Sequence, residues 1–282
     1  MNPVREMERI TLRPGVGLRL EDPFGGPLGD GLNVTATLLD SGLPSQRLQP
    51  TPSGHWAAHG LPCLRAWEGG EASDPVALAR LFEIAVDDPL GRVLPTRFHL
   101  TLPQNRLARL LCPGALAADP PTEHFPIPLF SAPARSAPAA WACVRASLRE
   151  LPLADPDMAA PAAWALLEVR AGAILLATGM ADARGEAIVC FAYPEPPDAG
   201  ASARTAFDHQ WQLSLTVRYQ RQPPATIPLL CALLAQPVRQ IARSVAGAPP
   251  APVLGADLPI SLRYGQPLAA VTPGARALFV QP

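Results

Sequence analysis

The stretch PSGHWAAHGLP, residues 52–62, is the part of this sequence that most resembles a site for chemistry. It places His55 and His59 four residues apart in a chain with five histidines. On a helix, that spacing puts two imidazoles on one face, the arrangement that binds zinc in HExxH sequences. Here Gly54 precedes the pair, Gly60-Leu61-Pro62 follows it, and no glutamate lies between. Five residues between such breakers are too few for an ordinary helix. On a strand the two side chains would sit roughly 13 Å apart, from four rises of ~3.3 Å, too far to share a metal. The residues are therefore expected on a short sandwich strand as half-exposed histidines, with His99 and His124 the remaining candidates to fold nearby.

Other reactive residues fare similarly. Asp208 and His209 in FDHQW are neighbours, so on a strand they point to opposite faces and cannot act as a carboxylate–imidazole pair. Asp87 and Asp88 stand beside Pro89 and Gly91, where aspartate stabilises a tight turn. Asp155 and Asp157 bracket Pro156 without the glycine and ligand spacing of a calcium loop. Five cysteines, Cys63, Cys112, Cys143, Cys190 and Cys231, are odd in number and contain no CxxC pair, which suggests reduced thiols packed as small hydrophobes. No nucleophile elbow or phosphate-cradling glycine loop is present. No catalytic, cofactor-binding or metal-ligating residue is assigned, and the chain is not expected to be an enzyme.

The tryptophans divide in two. Trp141, Trp164 and Trp211 lie in apolar runs and are expected in the core. Trp56 and Trp67 flank loops, where an aromatic can anchor a partner or a sugar. With Phe125, Ile127 and Phe130 they form the candidate set for partner contact.

The elements that would position these residues are strands. Among 282 residues, 48% are hydrophobic and only 17% charged, enough apolar material for a sizeable core. The net charge of −1 provides no clustered basic field for nucleic acid. Every fixed side-chain cation is arginine, since the sequence contains no lysine. Proline numbers 36, about two and a half times the usual ~5%. With 21 glycines between short apolar runs, this density disfavours helices and favours strands joined by stiff loops. The first fifteen residues show no apolar leader, and no run approaches a membrane span. Cytoplasmic synthesis without a signal peptide is expected, with later release as part of an extracellular particle left open.

Alternation predicts strands at 8–15, 17–26 and 32–42, then a strand–turn–strand unit over 79–103. Phe82, Ile84 and Val86 share one face of that unit, and Phe98 and Leu100 share a face of its partner strand. Residues 106–140 lose all periodicity and read as a proline-rich connector whose apolar residues dock on a domain. Strands resume at 141–148, 163–172, 173–182, 186–194, 209–220, 258–268 and 275–282. A short helix is expected in TIPLLCALLAQP (226–237), and the segment 236–257 reads as a loop. The expected fold is all-β: two Ig-like or transthyretin-like β-sandwiches, over 1–105 and 141–282, with a loop and short-helix insertion near 226–257.

The run from Ser147 to Pro194 resembles carboxypeptidase regulatory-like domains, transthyretin-like sandwiches whose pattern includes T-x-x-D-x-x-G before a strand. Asp182 and Gly185 match its D-x-x-G, while Thr178 stands four residues before Asp182, one more than the pattern has, and Pro161-Ala162-Ala163-Trp164 departs from the family's smaller residue before the second strand. The resemblance implies a fold and no catalysis. The whole layout is similar to proteins encoded with contractile, phage-tail-like injection particles. That resemblance implies a structural subunit or adaptor whose partners are other protein subunits. A soluble glycan- or protein-binding module is the alternative.

Overall fold

Alternating burial along the strands explains most of the architecture. In NVTATL, Val34, Ala36 and Leu38 point inward while Asn33, Thr35 and Thr37 lie half-buried between them. That period-2 pattern is what a sheet with one packed face requires. The computed structural model describes residues 13–28, 31–114, 120–151, 159–195, 209–246 and 251–282. The expected strand at 8–15 falls largely outside them, as do Asp155, Asp157 and Asp208.

The first half supplies β1 (Val16–Leu18), β2 (Leu20–Glu21), β3 (Asn33–Leu38), β4 (Gln46–Arg47), β5 (Gln49–Pro50) and β6 (Trp56–Ala58). A single helical turn, α1 (Arg65–Glu68), leads to the long hairpin β7 (Arg80–Asp87) and β8 (Thr96–Leu102). The connector forms β9 (Leu110–Cys112), β10 (Thr122–His124) and β11 (Ile127–Pro128). The second half opens with β12 (Trp141–Glu150), β13 (Leu166–Ala171), β14 (Ile174–Met180), β15 (Glu186–Ala192) and β16 (Gln210–Arg218). Helix α2 (Leu230–Leu234) follows, then β17 (Val238–Arg239), β18 (Ile241–Ala246) and β19 (Ala251–Gly255). The chain finishes with β20 (Leu258–Arg263), β21 (Leu268–Ala270) and β22 (Leu278–Val280). The fold is all-β, and α2 lies where Pro228 and Pro237 bracket an apolar run.

In the first half, the sheet β4-β3-β7-β8 faces the sheet β1-β6-β5. Phe82, Ile84 and Val86 from β7 and Phe98 and Leu100 from β8 enter the core between them, as alternation predicts. Asp88 organises the turn after β7. Its carboxylate accepts hydrogen bonds from the Arg92 backbone at 2.7 Å and the Arg92 guanidinium at 2.9 Å. In the second half, the sheet β15-β12-β22-β18-β19 packs on the sheet β14-β13-β16-β17, with β21 beside β12 and β20 beside β16. Val144, Leu148, Val189, Leu167, Leu215 and Leu278 meet in its core.

Asp182 and Gly185 form a turn before β15, while Thr178 lies within β14. The Asp182 side chain accepts from the backbone N–H of Arg184 at 2.8 Å and of Glu186 at 2.9 Å. Gly185 has φ of +81°, and a Cβ there would lie 2.3 Å from the Leu148 carbonyl oxygen, so only glycine fits. Gly179 plays a second role: its missing Cβ lets β14 approach the Ile188 carbonyl of β15, bringing edges of the two sheets together.

Two expectations need correction. Residues 236–257 are not a loop; they contain β17, β18 and β19. Pro252 obscured the signal, yet β19 ends its sheet, and an edge strand tolerates a residue without an N–H. The connector, expected to dock on a domain, is built into the first half, with β9 and β11 contributing buried side chains while Thr122 and Glu123 of β10 stay exposed. Ala108 donates to Gly17 at 2.7 Å, Ile127 to Arg19 at 2.9 Å and Leu129 to Glu21 at 3.1 Å. Leu94 donates to Phe130 and Ala132 to Arg92, so the connector also knits to the segment before β8. Its side chains Leu110, Ile127, Leu129 and Phe130 belong to the first core. That core also takes Trp164, Leu166, Met180, Leu230 and Leu233 from the second half.

Candidate functional site

The connector crosses the second half where β14 and β15 each end a sheet. Pro128 and Phe130 divide the space there into two clefts, of about 390 and 330 Å³, with Thr178 lining both. The larger cleft runs between Leu176–Thr178 of β14 and Ile188–Ala192 of β15, under Trp141. Its walls are mostly apolar, and the buried Ser131, whose hydroxyl has no hydrogen-bond partner among the described residues, is one of its lining residues.

The smaller cleft has a charged wall. Register places Glu168 of β13 opposite Thr216 of β16, with Arg218 two residues along. The buried Glu168 carboxylate accepts from Arg218 Nε at 2.6 Å, Arg170 at 2.9 Å and the Thr216 hydroxyl at 3.2 Å. Burial alone would raise its pKa, but the Arg170 and Arg218 hydrogen bonds and charges outweigh it and hold the carboxyl below its usual range. Glu168 is thus an ionised, fully engaged acceptor near neutral pH and not a general acid. Across the cleft, burial pushes the His124 pKa below its ordinary value, favouring the neutral imidazole. The cleft wall is completed by Cys112 and Cys231, which form a disulfide 119 residues apart in sequence. The arrangement orients charge and offers hydrogen bonds; it is suited to holding a surface or a ligand in register.

A second buried carboxylate lies at one end of the second sandwich. Glu150, at the end of β12, accepts from Tyr219 Oη and from Arg221, with Arg221 Nε at 2.9 Å. Burial would raise its pKa, but the donors Arg221 and Tyr219 lower it on balance. This cluster ties the two sheets together across the core.

The sequence-assigned partner contacts are redistributed by the fold. Trp56, 1% exposed, is buried in the first core, its Nε1 donating to the Leu28 carbonyl at 3.4 Å. Trp67, 3% exposed, is buried on α1 beneath Arg13. Ile127 and Phe130 are also buried, because the connector is part of the core. Only Phe125, 39% exposed, remains on the surface, with the Arg109 guanidinium 5.6 Å from its ring. Loop position marked the two tryptophans as exposed, but the loops turn both indoles inward.

His55 and His59 bracket β6. His55 Nδ1 is 2.9 Å from the Ser53 hydroxyl, and the His59 carbonyl accepts from Gln46. Among the described residues, no group of three or more His, Cys, Asp or Glu side chains is placed to hold a metal ion. Trp164 and Trp211 are buried as expected, while Trp141 is half-buried with its ring edge-on to Phe24. The expectation of five reduced cysteines is corrected by Cys112–Cys231, whose distant partners leave no local spacing signal. Cys63 is an exposed thiol, and Cys143 and Cys190 are buried ones.

The strand expected at 173–182 forms as β14, but sequence reasoning did not show that it ends its sheet. It pairs with β13 and makes no ladder on its other side among the described residues. Ile174 is 68% exposed and Leu175 45%. The strand ILLATGM carries no charge and no proline, while edge strands β19 and β20 contain Pro252 and Pro259, and β4 and β17 contain Arg47 and Arg239. No helix among the described residues is long and apolar enough to cross a membrane. Neither a scan against protein-family models nor a comparison with curated proteins returns a match to this chain.

Proposed function

We propose that this chain is a non-catalytic structural subunit or adaptor that binds other protein subunits of a large assembly. One observation carries the proposal: β14 is an uncharged, proline-free strand that ends its sheet, with no ladder on its other side among the described residues and with Ile174 and Leu175 exposed. Such edges pair with further strands unless charge, proline or a covering element blocks them. The partner is an extended, apolar, uncharged segment of a neighbouring subunit, joined by main-chain hydrogen bonds with alternate side chains giving specificity. The Glu168–Arg218 wall lies beside Leu175 in the smaller cleft and would fix the register of that contact. The resemblance in layout to proteins of contractile, phage-tail-like injection particles selects the assembly to test first.

The test is co-expression with the chain's native genetic neighbours, followed by purification of large particles, mass spectrometry and negative-stain imaging. Stoichiometric presence in a sheathed particle, lost in Leu175→Lys while the free variant unfolds at the same urea concentration as the parent, is the expected result. A free monomer with no particle-bound fraction would overturn the proposal.

A further inference from the structure

A second observation, independent of the edge strand, concerns the two thiols behind the larger cleft. Cys143 of β12 and Cys190 of β15 are directly opposed in the antiparallel register. Opposed residues in such a pair have Cα atoms ~4.5–5.5 Å apart, within the ~4.4–6.8 Å that a disulfide spans. Their sulfurs stand 3.2 Å apart, one S–H directed at the other. Both the register and the sulfur separation place them within reach of a disulfide. Both are buried with Ile188 against Phe24, Ala137 and Trp141. Both residues are buried, and of the two only Cys190 is among the residues lining the 390 Å³ cleft.

We propose that Cys143 and Cys190 are a redox-active dithiol that exchanges with low-molecular-weight disulfides entering through this cleft. Loss of one proton from the pair leaves a thiolate hydrogen-bonded to the remaining S–H, and proton transfer between the sulfurs makes Cys190 the nucleophile. The Cys190 sulfur attacks one sulfur of the incoming disulfide, forms a mixed disulfide and expels the first thiolate, which takes up a proton. Cys143 then gives up its proton, attacks the Cys190 sulfur and expels the second thiol. Two protein thiols are oxidised to one disulfide, and the small disulfide is reduced to two thiols. Burial, and then the Cys143 sulfur, hold the Cys190 thiol well above its ordinary pKa, and the guanidinium groups of Arg145 and Arg135 offset this only in part, so exchange is slow and speeds up at alkaline pH. The product fastens the edge strand β15 to β12 at the cleft wall.

The experiment uses the full chain carrying Cys63→Ser, which removes the exposed thiol, with oxidised glutathione as the probe. After exposure under native conditions, the protein is acid-quenched, unfolded without reductant and alkylated. The expected result is loss of both alkylatable thiols, a mass lower by two hydrogens, and a crosslinked peptide joining Cys143 to Cys190. In the same background, Cys143→Ser should stop at the mixed disulfide and retain one glutathione on Cys190. Full alkylation of both cysteines, under exposure that fully converts Cys63 in the parent chain, would overturn the proposal. That reading needs only the parent fold, so it stands even where Cys143→Ser fails to fold.

Discussion

The two halves bury their apolar residues in different ways. The second core is assembled entirely from residues after 141: its strands face one another, and Glu150, Tyr219 and the exposed Arg221 of its end cluster all come from the same half. The first core is not closed by its own segment. It takes Leu110, Ile127 and Phe130 from the connector and Trp164, Leu166, Leu230 and Leu233 from beyond it. A parallel bridge from Arg97 to Leu229 and the Cys112–Cys231 disulfide attach α2 and its approach to the same half. The difference teaches that a segment without periodicity can be a core strand: Ile127–Pro128 is too short to alternate, yet its backbone is paired and Ile127 is enclosed.

The largest test of this contrast is Phe130→Ala. As a core residue of the first half, Phe130 should cost about 3–5 kcal/mol on truncation, seen as a lower urea midpoint. A cost below about 1 kcal/mol would return the connector to the surface and erase the contrast. Cys112→Ser should follow, at roughly 2–4 kcal/mol, because the bridge closes a loop of more than a hundred residues in the unfolded chain. Acid sharpens the comparison from the other side. Glu150 and Glu168, both in the second half, have folded-state pKa values below their unfolded ones. The stability they supply is complete above the unfolded value of about 4.3 and is lost as pH falls through the lower folded values. Urea midpoints should therefore hold steady from neutrality to about pH 5 and fall beneath about pH 4, with Glu168→Gln flattening the fall. The smallest effect belongs to Phe125→Ala, five residues from Phe130 but on the surface: within about 0.5 kcal/mol of the parent.

Much of the fold was legible because alternation and turn chemistry are local. Val34, Ala36 and Leu38 declare their strand, and Asp182 with Gly185 declare a turn. The prolines around 230–234 bracket a helix. The features that failed to show are those defined by distant partners. Nothing near Cys112 points to Cys231. Glu168, Thr216 and Arg218 become a cluster only once β13 and β16 are in register. Trp56 and Trp67 sit in loop-like sequence, and their burial depends on what the loops fold over. The exposed edge of β14 was hidden for the opposite reason: a run as apolar as ILLATGM reads as interior, and only topology reveals that it ends its sheet.

Trp164, placed in the first core from the far side of the connector, also bears on the order of events as the chain is made. Synthesis proceeds from the N-terminus at ~5–20 residues per second, so α2 leaves the ribosome some 5–20 s after Phe130. Throughout that interval the first half has its hairpin and connector but lacks the side chains that complete its interior. The nascent protein therefore presents an unfinished apolar surface until its last third arrives, and its two halves mature together instead of in sequence.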